Sequence, residues 1–280
     1  MNYNNGLDAE EIEKLIQIPH LADVLDTKGY IRPTEESRIL LGNSGIVPGF
    51  IVEDIARTLA GLFQGSALET HFKKPLKSGD NIGYYGGKGE PEIYIPGKIR
   101  MSILETSNVS GGSLRQFMLP EPYEYQDIIP TLLSDHLLQS GDFQLASGAK
   151  KIDSEGYFSG HYTIPKKHPF LTEKGFPFAF MKEVANQVLS LSVSLQENPN
   201  GIKNGSKIEV VNSHISKDGS SDRETLVEGG STILITGKIE KDPEDPKRNV
   251  VAEYSAYFKS IPIFHGMIQI NQSPNIILFR

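Results

Sequence analysis

Four side chains stand out as possible proton carriers: His161, His168, Asp54 and Glu183. Imidazole changes charge near neutral pH, and burial can push a carboxylate there too. Asp54 lies about one turn into a strongly apolar segment, where a carboxylate is costly without a partner or a purpose. An acid so near a helix start also suits the helix dipole, so a purely structural role stays open. Glu183 sits in a second apolar segment, and Lys182 beside it suggests a partly exposed helix edge. Ser154 and Ser159 lie near His161, but no Gly-x-Ser-x-Gly elbow accompanies them. There is no Cys, which excludes thiolate nucleophiles and Cys-ligated metals. No His-Glu-x-x-His spacing occurs, and Asp218–Arg223 is only loosely like a calcium loop, so no metal is expected. Ser110-Gly111-Gly112 and Glu228-Gly229-Gly230 lack a following Lys-Ser/Thr and read as turns, not phosphate loops.

Composition narrows the choice of partner. The 280 residues carry a formal net charge of −7, so a nucleic-acid role is not expected. The start of the chain is polar and then acidic, unlike a signal peptide, and no run of 18 or more apolar residues occurs. The expectation is a cytoplasmic protein without a membrane span. With 13 Phe and 11 Tyr the chain can build a sizeable core.

The elements that must position these side chains follow from local pattern. Asp8–Ile18 reads as a capped helix, with Asp8 and Glu11 spaced as in a capping box. Pro48-Gly49 opens a second helix from Phe50 to about Gln64, apolar nearly all round and so buried. Strands are expected at Ala67–Phe72, Asn81–Tyr85, Ile93–Ile95 and Ile99–Leu104, separated by Gly- and Pro-containing turns. A short helix, Asp127–Gln139, a strand end at Tyr157–Gly160 and a long apolar helix at Phe178–Leu195 follow. Strand-like segments close the pattern at Lys207–Ile215, Thr225–Val227, Ser231–Ile239 and Val250–Tyr257.

The order of elements repeats. Asn43 follows Asp8 by 35 positions and His161 follows Asp127 by 34, each stretch running from a helix start to an apolar run ending in Gly. This reads as an internal duplication, with halves at 1–125 and 126–280 and insertions at 197–206 and 217–223 in the second. A long helix followed by several strands, twice over, predicts an α+β fold whose two sheets join edge to edge.

Four segments resemble the β-hydroxyacyl-(acyl carrier protein) dehydratases, a hot-dog family. They are Leu7–Ile16 with Pro19-His20, Val47-Pro48-Gly49-Phe50-Ile51-Val52-Glu53-Asp54, Phe72–Asp80, and Tyr157-Phe158-Ser159-Gly160-His161-Tyr162. His168-Pro169-Phe170-Leu171 also resembles the His-Pro-x-Leu of polyketide dehydratase domains. The resemblance implies a double hot-dog, two fused halves each with a long central helix wrapped by an antiparallel sheet. It implies a hydro-lyase that removes water from a 3-hydroxyacyl thioester in fatty-acid or polyketide-type biosynthesis. Its partners would be acyl carrier protein or coenzyme A thioesters, with no cofactor, and the protein would be a monomer or a homodimer.

The resemblance also implies roles. A His takes the α-proton and an Asp or Glu from the opposite half helps the hydroxide leave. Here that pair is His161 with Asp54, in one composite site. The reciprocal pair, Asn43 with Glu183, lacks a base. His161 precedes Glu183 by 22 residues, longer than the family interval, whereas His168 precedes it by 15, close to that interval. His168 is therefore the alternative base. Backbone N–H groups at the helix starts would polarise the thioester carbonyl, through Gly49 in one half and Gly175 and Phe176 in the other. Two other readings stay open: thioester hydrolysis by a carboxylate-activated water, and a non-catalytic acyl-thioester-binding protein.

Overall fold

The structure, a computed structural model, describes residues 49–50, 53, 68–72, 83–85, 92–95, 98–105, 116–119, 137, 143–171, 175–176, 178–197, 210–218, 227–241 and 249–271. The expected helix Asp8–Ile18, Asn43, Asp54 and all of Asp127–Gln139 except Leu137 lie outside these residues. Within the expected second helix, Gly49, Phe50 and Glu53 are described, and all three have helical backbone.

The described strands are β1 (Leu68–Phe72), β2 (Gly83–Tyr85), β3 (Glu92–Ile95), β4 (Lys98–Glu105), β5 (Gly148–Ala149), β6 (Tyr157–Thr163), β7 (Val210–Asp218), β8 (Thr232–Lys241), β9 (Asn249–Phe258) and β10 (Ile261–Asn271). They form one sheet in the order β2-β3-β4-β1-β7-β10-β9-β8-β6-β5, with every pair antiparallel. The join between the N-terminal strands and the rest is β1 against β7, where Leu68 pairs with Ser216 and Thr70 with His214. The two sheets are thus edge to edge, as expected.

Helix α1 (Phe178–Glu197) lies against β5, β6 and β8. Several of its residues, including Val184, Val188, Val193 and three serines, are indifferent helix formers, so burial rather than propensity holds it. Phe180, Val184, Ala185, Val188, Leu189, Leu191 and Val193 are all buried. The facing strands alternate as a one-sided sheet must. Ile233, Ile235 and Ile239 of β8, Ala252, Tyr254 and Ala256 of β9, and Phe264 and Ile268 of β10 enter the core.

Two glycines let large groups approach. A Cβ at Gly160 of β6 would stand 2.7 Å from Val188 Cγ1 of α1, so that position faces the helix. A Cβ at Gly266 of β10 would stand 2.3 Å from the ring and hydroxyl of Tyr254, its cross-strand neighbour. Gly266→Ala should therefore destabilise the protein by about 1–3 kcal/mol through overpacking. Chemical denaturation with an unchanged m-value would show it, and a loss below a few tenths of a kcal/mol would contradict the packing argument.

The sequence pattern runs past what it announced. No strand is expected after Tyr257, yet β10 is the longest strand in the described sheet. The turn into it is Lys259-Ser260, both at positive φ (49° and 63°). Such two-residue turns are usually marked by Asn-Gly or Asp-Gly, and here that signal is missing. Of the expected strand at Thr225–Val227, only Val227 is described, and it is not in a strand.

Candidate active site

The first three turns of α1 put three charged or amide groups into the core. Lys182, Glu183 and Gln187 are 2%, 8% and 1% exposed. The expected partly exposed edge at Lys182 is corrected by the structure: the ammonium is buried because it meets a buried carboxylate. Its Nζ lies 2.8 Å from Glu53 Oε1 and 2.9 Å from Oε2. The Thr70 hydroxyl of β1 donates to Glu53 Oε2 at 3.3 Å. Glu53, itself 2% exposed, is thus held from both the C-terminal helix and the N-terminal sheet.

Glu183 has a different environment. The Asn186 side-chain amide donates to Oε2 and the Gln187 amide to Oε1, each at 3.0 Å. Gln187 is oriented by the backbone ahead of β5: its Nε2 donates to Phe143 O at 2.8 Å and its Oε1 accepts the Leu145 N–H at 2.6 Å. With its oxygen so occupied, Gln187 must present N–H to Glu183. Burial raises the Glu183 carboxyl from its ordinary 4.5 to about 7, with the two amides and Lys182 opposing and the Glu53 charge adding to the rise. A carboxyl near 7 can either accept or give up a proton at neutral pH.

Tyr254 of β9 stands on the helix-facing side of the sheet and is fully buried. Burial raises its phenol well above the ordinary range, and the charges of Glu53 and Glu183 add to this. It is a neutral donor throughout the physiological range.

His168 belongs to a buried aromatic wall that reaches α1 through Phe180. Its ring meets Phe170 at 5.1 Å, Phe176 at 5.3 Å and Tyr162 at 6.3 Å. Phe170 and Phe176 in turn contact Phe180 of α1 at 4.5 and 5.8 Å. Phe50 joins the wall from the N-terminal half, 4.7 Å from Phe180 and 5.9 Å from Phe143. His168 is 4% exposed, and its Nδ1 accepts the Phe170 N–H at 3.2 Å. That bond puts the proton of the neutral ring on Nε2.

His161 is also buried, but elsewhere. Gly160 faces α1, so strand alternation turns His161 to the opposite face of the sheet. Its carbonyl accepts the Ser147 N–H at 2.8 Å. On that outer face Ser255 Oγ lies 2.8 Å from His265 Nδ1 and accepts the Phe117 N–H at 2.9 Å, while Tyr257 donates its hydroxyl to Phe117 O. His161 and Glu183 therefore stand on different sides of the sheet. The pairing of His161 with Asp54 falls outside the described residues.

Of the three backbone positions expected to bind substrate, Gly49 is half-buried and helical. Gly175 takes a left-handed φ of 84°. Phe176 directs its N–H to Val227 O at 2.9 Å, so that amide is already used within the protein. Glu53, Thr70, Gln187 and Tyr254 were not anticipated. Two of them had a signal. Aligning Asp54 with Glu183 places Glu53 opposite Lys182, two unlike charges at equivalent positions of the two halves, and Gln187 follows Glu183 at the i+4 spacing. Among the described residues no group of three or more His, Asp or Glu gathers as a metal site, and no helix is long and apolar enough to cross a membrane.

No protein-family model matches the sequence, and no curated protein matches it. Solved structures do. The chain is similar to a conserved protein of unknown function with hot dog fold from Alicyclobacillus acidocaldarius, with a TM-score of 0.51 and 11% identity over 84% of this chain and 90% of that one. It is similar to a bifunctional dehydratase-cyclase domain in ambruticin biosynthesis, with a TM-score of 0.50 and 12% identity over 85% and 88% of the two chains. An isomerase-inactive variant of GphF DH1 gives a TM-score of 0.51 and 9% identity over 98% and 92%. At such identities the likeness is one of fold: an α+β double hot-dog that takes in both halves of the chain.

Proposed function

We propose that the protein is a hydro-lyase that dehydrates a 3-hydroxyacyl thioester, presented on acyl carrier protein or coenzyme A. The observation that carries this reading is Glu183: a carboxyl on α1, held by two amides and raised to about 7 by burial, on the same helix whose Phe180 packs into a cluster of aromatic rings that would suit an acyl chain. In the reaction a base takes the α-proton, the electrons of that C–H bond form the Cα=Cβ double bond, and the Cβ–O bond breaks. Protonated Glu183 gives its proton to the leaving oxygen, which departs as water. Proton exchange with solvent then resets the carboxylate and the base.

His168 is the proposed base, because its ring shares the aromatic wall with Phe176 and Phe180 on the α1 side of the sheet. To accept a proton at Nε2 it must carry its resting proton on Nδ1, giving up the 3.2 Å contact with the Phe170 N–H. His161 on the outer face and Asp54 in the N-terminal half are the rival assignments.

The test is turnover of 3-hydroxyacyl thioesters of graded chain length, followed by mass spectrometry. Glu183→Gln should lower the rate by about 10²–10⁴-fold, the range for loss of one positioned acid. His168→Ala should do the same, and His161→Ala should not. A wild type that releases free thiol without forming an enoyl product is a thioesterase instead. A wild type that binds acyl thioesters and changes none of them is an acyl-binding protein.

A further inference from the structure

Tyr254 is fully buried, and among the described residues its hydroxyl has no hydrogen-bond partner. A buried hydroxyl left in that state costs about 1–3 kcal/mol, which a Phe at this position would avoid. The ring cannot swing away to find a partner. It is pressed over Gly266, whose missing side chain makes the space, and edge-on to Phe264 at 5.9 Å. Gly237, its neighbour on the other side, is closed by the Phe158 ring. The phenol is therefore held in place on the side of the sheet that faces α1, within the electrostatic reach of Glu53 and Glu183. Glu53 is committed to Lys182 and Thr70. Glu183, held by Asn186 and Gln187, is the carboxyl of the acid–base reading, and its charge reaches this fixed phenolic donor.

A ligand group that met both the phenol and the carboxyl would accept from one and exchange a proton with the other. An alcohol does both, whereas a thioester carbonyl only accepts. We propose that Tyr254 donates a hydrogen bond to the 3-hydroxyl of the substrate and so selects hydroxyacyl over plain acyl thioesters. The proposal rests on the acid–base reading of Glu183. As the Cβ–O bond breaks, that oxygen gains negative charge, and a donor already aimed at it favours its departure.

Tyr254→Phe removes the hydroxyl alone. Binding of two unreactive thioether analogues of one chain length, 3-hydroxyacyl and saturated, is measured by calorimetry for both proteins, with thermal melts alongside. The wild type should prefer the hydroxy analogue by about 10- to 100-fold, since a site with a buried polar group rejects a ligand that leaves it unpaired. Tyr254→Phe should lose that preference, bind the saturated analogue as the wild type does, and melt no lower. A preference kept in Tyr254→Phe, no preference in the wild type, or a variant that melts well below wild type would each overturn the proposal. Turnover separates the two claims. A wild type that never dehydrates yet shows a preference abolished by Tyr254→Phe sinks the catalytic reading of Glu183 and keeps the Tyr254 contact. A dehydratase whose Tyr254→Phe variant keeps its preference sinks Tyr254 alone.

Discussion

Lys182→Met is expected to destabilise the protein by about 3–5 kcal/mol, the usual cost of leaving one partner of a buried ion pair uncompensated. The reason is geometric. Lys182 Nζ touches both oxygens of Glu53, and both residues are only 2% exposed. Without the ammonium, Glu53 keeps the 3.3 Å hydroxyl of Thr70, a neutral donor that offsets little of the desolvation of a carboxylate. The double variant Glu53→Met/Lys182→Met should recover most of the loss, because two apolar side chains of similar length fill the same space without burying charge. Urea denaturation of the three proteins reads the comparison directly. Equal losses in the single and double variants would mean that the site depends on packing rather than charge.

The second large effect is on pH. Glu183 binds its proton more tightly folded, at about 7, than unfolded, at the ordinary 4.5. Between those values the folded state holds more protons than the unfolded one, so the stability from this group falls as pH rises. The contribution is fully present below about 4.5, is lost progressively up to about 7, and is gone above that. A separation of that size corresponds to about 3 kcal/mol. Ordinary carboxylates elsewhere move the other way, so the quantity to measure is the difference between wild type and Glu183→Gln, which cannot titrate there. Their unfolding free energies, followed from pH 4.5 to 8, should diverge steadily to about pH 7 and then run parallel. A constant difference across that range would show that Glu183 is not held near neutrality. The same titration would place a limb near pH 7 in any rate that depends on protonated Glu183.

Much of the fold was legible before the structure because its signals are local. The turn-forming residue types at Ser78-Gly79-Asp80 and Pro96-Gly97 delimit in the sequence what become β1, β2 and β4, and the apolar run from Phe178 marks α1 to within two residues at its end. Strand β10 was not legible, because its turn is made by Lys259-Ser260 at positive φ, and that conformation is imposed by the paired strands rather than announced by the residues. The edge-to-edge sheet was expected from the recurring order of helix and strands in the sequence.

The site divides in the same way. The sequence by itself determined which residue types could carry protons, and it placed Glu183 and His168 at a plausible spacing. It could not say which faces they share. Strand alternation turns His161 away from α1, and only the contact of Gly160 with Val188 reveals the sense of that alternation. Lys182 read as an edge residue because its partner lies 129 residues away. The proton affinity of Glu183 and the isolation of the Tyr254 hydroxyl were decided by the tertiary structure alone. Both come from burial, a property of everything packed around a group and of nothing in its own stretch of chain.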